Sequence, residues 1–305
     1  MAKAVYVLLN NGAGALRGDD GDAILARIEH ALAGTGRGVE IARASGGELQ
    51  RCLEDRLSRS PPEEVIVAGG DGTVSSAAAS LCDTGIALGV LPLGTMNLFA
   101  RSLAMPLDLD AALNALATAK PRTADLGEVN ARLFTHPVSM GLQARLVAMR
   151  ERSDYGSRVG KILANLRALL TVVHRPPRLV LKATVDGSVL DLKTPALVVS
   201  NNVFGPNHLP YADALDHGVL GVYICSALRP GDVAQVTLEA LLGTWHADGR
   251  VTTLTAKSVS VESRGKRKSM SATVDGELVT FERAIEVSIR PASLVVLAPE
   301  PPTPA

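Results

Sequence analysis

Three short segments that contain glycine each follow an apolar run and precede a helical pattern. They are NNGAG (10–14), GGDGT (69–73) and PLGTMN (92–97). Glycine lets backbone N–H groups approach a phosphate closely, and the start of the following helix adds partial positive charge. One such loop is an ordinary strand-to-helix turn, whereas three loops of this kind favour a phosphate site. The segments therefore predict a nucleotide-binding edge.

Asp71 is the only carboxylate within these three segments. A carboxylate beside phosphate is repulsive unless a cation lies between them or the carboxylate handles a proton. The alternative interpretation is a helix N-cap, because Asp before a helix accepts hydrogen bonds from free N–H groups. Thr73 could fill that role equally well, so we expect Asp71 to hold a Mg²⁺ ion that bridges nucleotide phosphates.

The first 120 residues alternate strand and helix patterns. Apolar runs typical of buried strands occur at 4–10, 39–43, 63–69 and 86–92, and helical patterns occur at 22–34, 47–59, 74–83, 95–103 and 107–119. This alternation predicts a doubly wound α/β nucleotide-binding domain. Ligands of such sheets bind outside the carboxyl ends of the strands, which is where the three glycine segments fall.

From about residue 121 the chain consists mainly of β patterns separated by turn residues, with helical patterns only at 156–173 and 232–243. We therefore predict a second, mainly antiparallel β domain, either a sandwich or barrel-like. The expected domains are 1–122 and 123–284, and whether 285–298 completes the first domain stays open. The proline-rich tail, 299–305, is expected to be disordered.

Composition restricts the class of partner. Lysine plus arginine equals aspartate plus glutamate, at 31 each, so a nucleic-acid partner is not expected. The three cysteines are far apart in sequence, which favours reduced thiols and a cytoplasmic protein. Apolar stretches are too short for a membrane span, so any membrane contact is expected to be peripheral. The basic run RGKRK (264–268) is either a solvated hairpin tip or a contact with anionic membrane.

A family resemblance adds to this interpretation. GGDGT followed by PLGTMNLFAR (92–101), ADLG (124–127) and VDGE (274–277) resembles the diacylglycerol kinase and sphingosine kinase group of lipid kinases, especially its soluble bacterial members. GGDGT alone is shared with NAD kinases. The resemblance implies ATP- and Mg²⁺-dependent phosphorylation of a lipid hydroxyl on a diacylglycerol-like lipid, phosphatidylglycerol or a sphingoid base.

The resemblance also implies roles for individual residues. Asp71 would lie near the phosphates and the metal, and Glu277 of VDGE would be the general base, although VDGE alone is typical of a turn. Asp125 and Asp275 would support an acidic network. The implied nucleotide contacts are Asn10, Asn11, Gly12, Ala13, Gly14, Gly69, Gly70, Asp71, Gly72, Thr73, Val74, Ser75, Gly94, Thr95 and Asn97.

Several positions depart from the family pattern. Leu98 stands where the family often has an acidic residue, and Asn11 and Ala13 replace the usual proline and serine of the first loop. The bacterial members carry a structural Mg²⁺ at a loop that reads roughly D-D-G-x-L. Here that loop contains Asp216 and His217, and a neutral imidazole is a poor Mg²⁺ ligand, so the sequence argues against this second metal site unless Asp216 replaces the missing ligand.

Two other functions stay open. A nucleotide-binding regulatory protein without turnover is motivated by Leu98 and His217. An NAD kinase shares GGDGT, but PLGTMNLFAR and VDGE argue against it. The leading hypothesis is a cytoplasmic lipid kinase that is peripheral to the membrane, with ATP and a lipid as partners. The sequence leaves open whether it forms a homodimer.

Overall fold

The computed structural model describes residues 4–13, 21–33, 38–151, 158–205, 211–245, 249–265, 269–282 and 284–300. The chain divides into two compact units. The first comprises Met1–Leu126, Asp213–His217 and Pro291–Ala305, and the second comprises Gly127–Ala212 and Gly218–Arg290. The domain boundaries expected at residues 122 and 284 stay predictions.

The first unit alternates strands and helices. Its elements are β1 (Ala4–Asn10), α1 (Gly21–Ala33), β2 (Gly38–Ala44), α2 (Gly47–Arg59), β3 (Glu64–Gly69), α3 (Asp71–Leu81), β4 (Ala87–Pro92), α4 (Leu98–Ser102), α5 (Leu109–Thr118) and the first part of β5 (Lys120–Val129). The strands are parallel in the order β2-β1-β3-β4, and the end of β16 (Ile285–Ala298) lies next to β4. Every residue of β3 and β4 is buried, as expected for parallel strands covered on both faces.

Two helices at this sheet differ from their predicted bounds. Helix α3 begins at Asp71 instead of residue 74, because extended Gly70 already serves as its N-cap. Helix α4 begins only at Leu98, because Asn97 has a left-handed φ of 50° and interrupts the predicted helix. Helix α3 therefore begins within the second glycine segment, whereas α4 begins directly after the third.

The second unit is mainly antiparallel β. Its elements are the end of β5, β6 (Arg132–Phe134), β7 (Val138–Gly141), α6 (Leu142–Glu151), α7 (Arg158–His174), β8 (Leu179–Val185), β9 (Ser188–Thr194), β10 (Ala196–Ser200), β11 (Leu220–Cys225), α8 (Pro230–Leu242), β12 (Val251–Ala256), β13 (Ser258–Ser263), β14 (Met270–Val274), β15 (Glu277–Phe281) and the start of β16. One layer has the order β12-β11-β10-β7-β14-β15, and the other has β16-β13-β8-β9. Buried side chains from both layers form one core, so the unit is a sandwich.

The α/β fold with an antiparallel second part is confirmed, but one helix was missed. The sequence LQARLVAMRE forms α6, of which only Ala144 is buried. With so little buried surface, its apolar residues show no clear helical period. Leu142, Val173 and Val233 place α6, α7 and α8 around a small apolar cluster with Cys225 of β11. In the part of the chain that the structure describes, no helix combines the length and apolarity needed to cross a bilayer.

Candidate active site

The predicted phosphate loops lie at one edge of the parallel sheet. Ala68 pairs with Leu9, and Gly69 pairs with Pro92, so β1, β3 and β4 end at nearly the same level. Directly after these strands, Gly70 and Gly94 touch. A Cβ added to Gly94 would lie 2.5 Å from the Gly70 Cα atom, which no real Cβ tolerates. Glycine at both positions therefore lets the second and third loops meet.

Asn10 connects the first loop to the second. Its Nδ2 donates a hydrogen bond to Thr73 Oγ1 at 2.7 Å, and its Oδ1 accepts one from the Gly12 N–H at 2.8 Å. Both ends of the amide are therefore used within the protein. Asn10 positions the loop, and the exposed backbone of Asn11 and Gly12 is what a nucleotide could reach.

Asp71 caps a helix other than its own. Gly70 is the N-cap of α3, and neither Asp71 nor Thr73 takes that position. Instead, Asp71 Oδ1 accepts a hydrogen bond at 3.3 Å from the N–H of Phe99, in the first turn of α4. A carboxylate at this place satisfies a helix N–H that has no partner within the helix.

Asn97 shapes the third loop. Its Oδ1 accepts from the Gly94 N–H, and its Nδ2 donates to the Gly94 carbonyl, both at 2.9 Å. Asn tolerates the left-handed backbone found here because its short side chain can make such local hydrogen bonds. The amide is thus committed to the loop, and Thr95, which is exposed, is the side chain that could reach a ligand.

The predicted nucleotide set divides by burial. Its exposed or half-buried members are Asn10, Asn11, Gly12, Gly70, Asp71, Gly72, Thr73, Gly94 and Thr95. Its buried members are Ala13, Gly69, Val74, Ser75 and Asn97. Gly14 lies outside the described residues. The buried side chains are part of the packing beneath the site, so any role they have toward a nucleotide is indirect or through the backbone.

The described residues fit a metal carried by the nucleotide. Mg²⁺ at such sites commonly takes one or two protein carboxylates and fills its other positions with phosphate oxygens and water. Half-buried Asp71 provides one carboxylate at the loop edge. A second, purely protein-bound metal site is not supported. Asp216 and His217 are exposed, and the described residues contain no group of three or more His, Cys, Asp or Glu side chains that could hold an ion.

Asp125 is almost fully buried in the first unit, with 1% of its surface exposed. Its Oδ1 accepts a hydrogen bond from the Ala292 N–H at 2.8 Å, and its backbone N–H donates to the Leu215 carbonyl at 2.5 Å. Ala292 has a positive φ of 48° within β16. Asp125 therefore fastens a distorted strand and the 213–217 segment, which is a structural use of the carboxylate.

In the second unit, VDGE forms the turn of the hairpin between β14 and β15. Asp275 and Gly276 both have positive φ, as a two-residue type I′ hairpin turn requires. The buried Asp275 carboxylate also accepts hydrogen bonds from the backbone N–H groups of Thr135 and His136, at 3.1 and 2.7 Å. The turn is therefore fixed to the chain that follows β6.

Glu277 comes directly after this turn and is largely exposed. Its Oε2 lies 2.7 Å from Arg132 Nη2, a residue of β6 that is 145 positions earlier in the chain. Arg132 was not predicted as a site residue, since nothing in the local sequence around either residue indicates the pairing. The pair holds a carboxylate in a defined position at the surface of the second unit.

Comparison with known protein families identifies both parts of the chain. Residues 4–129 match the model described as "Diacylglycerol kinase catalytic domain". Residues 136–298 match the model described as "YegS C-terminal NAD kinase beta sandwich-like domain". The resemblance expected from GGDGT, PLGTMNLFAR and VDGE is confirmed.

Similar proteins bear related names. A protein of Mycobacterium tuberculosis named "Diacylglycerol kinase" is 30% identical over 287 residues, which cover 90% of this chain and 88% of that protein. A "Diacylglycerol kinase" of Bacillus subtilis is 27% identical over 70% of each chain. A "Probable lipid kinase YegS-like" protein of Pseudomonas syringae pv. syringae is 36% identical over 104 residues, and the match spans only 33% of its length.

Solved structures share the fold. The crystal structure of a diacylglycerol kinase from Bacillus anthracis superposes with a TM-score of 0.72. It has 18% sequence identity, and the superposition covers 98% of this chain and 97% of the other. At this identity, the likeness supports the architecture alone.

Proposed function

Because the chain belongs to the diacylglycerol kinase family of lipid kinases, we propose that it transfers the γ-phosphate of ATP to a hydroxyl group of a diacylglycerol-like lipid. Diacylglycerol is the first acceptor to test, since the Mycobacterium tuberculosis relative that matches most of this chain bears that lipid in its name. Phosphatidylglycerol and sphingoid bases are the alternative acceptors.

The contact between Gly70 and Gly94 is the observation that carries the proposal. It brings two backbone loops together without side chains between them. The hydrogen bond from Asn10 to Thr73 connects the first loop, in which Gly12 is exposed, to the second. Backbone N–H groups on such a surface, together with the N-terminus of α3, suit a chain of phosphates. This arrangement would hold the phosphates of ATP at the edge of the first unit.

We assign Asp71 as the protein ligand of a Mg²⁺ ion bound at the nucleotide phosphates. A Mg²⁺ ion bound there would neutralise the charge that develops on the phosphate oxygens during transfer. The N–H of Phe99 fixes one carboxylate oxygen, at 3.3 Å. This contact orients Asp71 and limits its rotamers before the nucleotide binds.

We assign Glu277 the role of general base. The lipid hydroxyl must lose a proton as its oxygen attacks the γ-phosphate, and a carboxylate can accept it. Arg132 holds Glu277 Oε2 at 2.7 Å, which leaves Oε1 as the oxygen that would take the proton. The proton therefore passes from the lipid hydroxyl to Glu277, while the terminal phosphate passes from ATP to the lipid oxygen.

The acceptor dissolves in membranes, so the enzyme is proposed to act at a membrane surface without spanning it. No described helix could cross a bilayer. We propose peripheral binding because a protein at the membrane–water interface can reach the hydroxyl group of a lipid.

Radiolabelled ATP tests the proposal directly. The wild-type protein and Asp71→Asn are incubated with Mg²⁺, ATP and diacylglycerol in mixed micelles, and labelled lipid is measured after extraction. We expect transfer by the wild type and almost none by Asp71→Asn. The matched control is Asp55→Asn, an exposed carboxylate on α2 that should not change the rate.

A regulatory protein without turnover is the second candidate. Leu98 stands at the start of α4, where the family often has a carboxylate. ATP binding measured by calorimetry, with no labelled product from diacylglycerol, phosphatidylglycerol, sphingoid bases or NAD, would favour this candidate over the kinase.

A further inference from the structure

A cavity of about 300 Å³ lies entirely within the first unit. Its walls come from the end of α4 and the two residues after it, the first half of β5, the 213–217 segment and the end of β16. None of the residues that line it belongs to the three glycine segments. Its volume is at the lower end of the range of about 300–1,000 Å³ that is typical of small-molecule sites. The cavity therefore suits a small ligand other than the proposed nucleotide.

Part of the cavity wall is apolar. Leu103, Leu215, Val296 and Ala298 line it, and each has less than a tenth of its surface exposed. We call these four residues the apolar floor. Removing apolar surface from water is favourable, so the floor favours a ligand that carries an apolar group.

A buried carboxylate joins three of the walls. The backbone N–H of Asp125 on β5 donates to the Leu215 carbonyl, and Asp125 Oδ1 accepts a hydrogen bond from the Ala292 N–H of β16. Only 1% of the surface of Asp125 is exposed, so these hydrogen bonds form where water hardly competes. The walls are therefore held together before any ligand binds.

The cavity also carries charges of both signs, on different segments. Arg122 of β5 and two carboxylates of the 213–217 segment, Asp213 and Asp216, line it and are exposed. Among the residues that the structure describes, the side chains of Arg122 and Asp216 form no hydrogen bond or ion pair with each other or with another group. Glu300 pairs with Lys120 instead. The hydrogen bond from Lys120 lowers the pKa of Glu300, and the charge of Arg122 adds to that effect.

This set of groups matches an α-amino acid. A guanidinium group such as that of Arg122 binds a carboxylate through two parallel hydrogen bonds. Carboxylates such as those of Asp213 and Asp216 attract an ammonium group, and the hydroxyls of Ser102 and Thr123 in the same wall supply further hydrogen bonds. The two carboxylates disfavour a phosphate, and Arg122 disfavours a metal ion, because like charges repel.

Helix α4 connects this cavity to the proposed nucleotide edge. Its last residue, Ser102, and the following Leu103 line the cavity. The Leu103 N–H donates to the Phe99 carbonyl at 3.1 Å, and the Phe99 N–H donates to Asp71 Oδ1 at 3.3 Å. A ligand that contacts Leu103 is therefore two hydrogen bonds away from the carboxylate that we assign to the metal.

From these observations, we propose that the cavity binds one α-amino acid with an apolar side chain, and that this binding strengthens the binding of ATP. Arg122 would hold the carboxylate of the ligand, Asp216 its ammonium group, and the apolar floor its side chain. The ligand would hold the end of α4 in place, and α4 would keep Asp71 oriented for the nucleotide. The amino-acid site goes beyond the proposed function, whereas its effect on ATP rests on the nucleotide edge proposed there.

Calorimetry with L-leucine tests the class of ligand. The wild-type protein is titrated with L-leucine, with isoamylamine, which lacks the carboxylate, and with 4-methylpentanoate, which lacks the ammonium group. We expect L-leucine to bind and each analogue to bind at least about tenfold more weakly, because charge-assisted hydrogen bonds are lost. Failure of L-leucine to bind, or equal binding of all three compounds, would overturn the proposal.

Two variants test the assignment of the charges. Arg122→Gln should weaken binding of L-leucine about tenfold but should not weaken binding of isoamylamine, which has no carboxylate to lose. Asp216→Asn should weaken binding of L-leucine but not of 4-methylpentanoate. Both side chains are exposed, so neither variant should change the melting temperature. An equal loss for L-leucine and the matching analogue would overturn the assignment.

Arg59→Gln is the matched control, since Arg59 is an exposed arginine on α2. It makes the same change in net charge as Arg122→Gln and should leave binding of all three compounds unchanged. Glycine tests the apolar floor and should bind more weakly than L-leucine. Binding of glycine as tight as that of L-leucine would overturn the role of the floor. An equal effect of Arg59→Gln and Arg122→Gln would overturn the site.

A titration with ATP and Mg²⁺ tests the effect on the nucleotide. Saturating L-leucine should tighten binding of ATP about fivefold, and ATP should tighten binding of L-leucine by the same factor, because coupling between two sites is reciprocal. Arg122→Gln should abolish this effect without changing the affinity for ATP alone. Unchanged affinity for ATP with L-leucine bound would overturn the coupling through α4. Binding of L-leucine by a protein that binds no ATP would overturn the proposed function and the coupling, and would leave the amino-acid site standing.

Discussion

Arg132 Nη2 lies 2.7 Å from Glu277 Oε2, although the two residues are 145 positions apart in the sequence. The hairpin turn at Asp275 makes this possible, because its carboxylate binds the backbone of Thr135 and His136 just after β6. A buried carboxylate thus fixes the segment that carries the arginine. The exposed glutamate beside the turn gains a defined orientation as a result.

Glu277→Gln should lower the rate of lipid phosphorylation by about 10²–10⁴-fold, which is the usual contribution of a general base. The amide is nearly isosteric but cannot accept the proton from the lipid hydroxyl. Initial rates with diacylglycerol micelles measure the effect, and Glu262→Gln, an exposed residue of β13, is the control. A rate within twofold of wild type in Glu277→Gln would remove this residue as the base.

Arg132→Ala should lower the rate by a smaller factor, roughly tenfold, because Glu277 would remain but lose its orientation. Arg132→Lys should restore part of the rate, since a cation would return near Oε2. The informative measurement is a double-mutant cycle with Glu277→Gln. If Arg132 acts through Glu277, adding Arg132→Ala to Glu277→Gln causes little further loss, whereas additive losses would indicate separate roles.

Two glycine substitutions should separate packing from nucleotide binding. Gly94→Ala places a Cβ 2.5 Å from the Gly70 Cα atom, so we expect lower stability by about 1–3 kcal/mol, together with weaker ATP binding. Gly72→Ala has open space around its Cβ and lies in α3, so its stability should be unchanged or higher by about 0.5–1 kcal/mol. ATP binding by Gly72→Ala should still weaken, because the methyl group stands where a phosphate would approach.

Thermal unfolding and calorimetric titration with ATP measure both variants. Unchanged stability in Gly94→Ala would contradict the close contact between Gly70 and Gly94, and a loss of stability in Gly72→Ala would contradict the open space at Gly72. Normal ATP affinity in both variants would argue against a nucleotide at this edge.

Tyr223 should make stability depend on pH in the alkaline range. Burial raises the pKa of Tyr223 to about 12, an effect that the hydrogen bond from the Phe204 N–H partly opposes. The unfolded chain therefore loses this proton first, near pH 10, while the folded chain keeps it. Its contribution is fully present below about pH 10 and is lost toward pH 12, by up to about 1.4 kcal/mol per pH unit.

Tyr223→Phe should abolish this pH-dependent loss. At neutral pH the variant should be less stable by about 1–3 kcal/mol, because the buried Phe204 N–H loses its acceptor. Urea unfolding of both proteins, at neutral pH and at two alkaline values, measures the difference. The two stability curves should converge as pH rises, and parallel curves would contradict the assignment.

The sequence predicted the elements whose apolar residues follow a regular pattern. Strands β1, β3 and β4 are continuous apolar runs because both faces of the parallel sheet are covered, and the glycine loops follow them directly. Helix α6 was missed because it buries too little surface to show a period. The bounds of α3 and α4 were wrong because Gly70 and Asn97 decide them through backbone geometry.

The contacts that organise the site were not predictable. Asn10 reaches Thr73 across 63 residues, and Asp71 reaches the Phe99 N–H across 28. Such contacts leave no periodic signal, since either partner would look the same in a chain where the other side chain pointed elsewhere. Asp71 was expected to be free of capping because Thr73 could cap α3, yet it caps the first turn of α4.

The hydrogen bond between Asp71 and Phe99 links the first turn of α4 to the proposed nucleotide site. The helix is only five residues long, and the hydrogen bond from the Phe99 N–H to Asp71 acts with that from the Arg101 N–H to the Asn97 carbonyl to hold its first turn. A cation that coordinates Asp71 Oδ1 beside a bound nucleotide would compete with the Phe99 N–H for this oxygen. We therefore expect the rate of hydrogen exchange at the Phe99 amide to depend on whether a nucleotide is bound at this edge of the sheet.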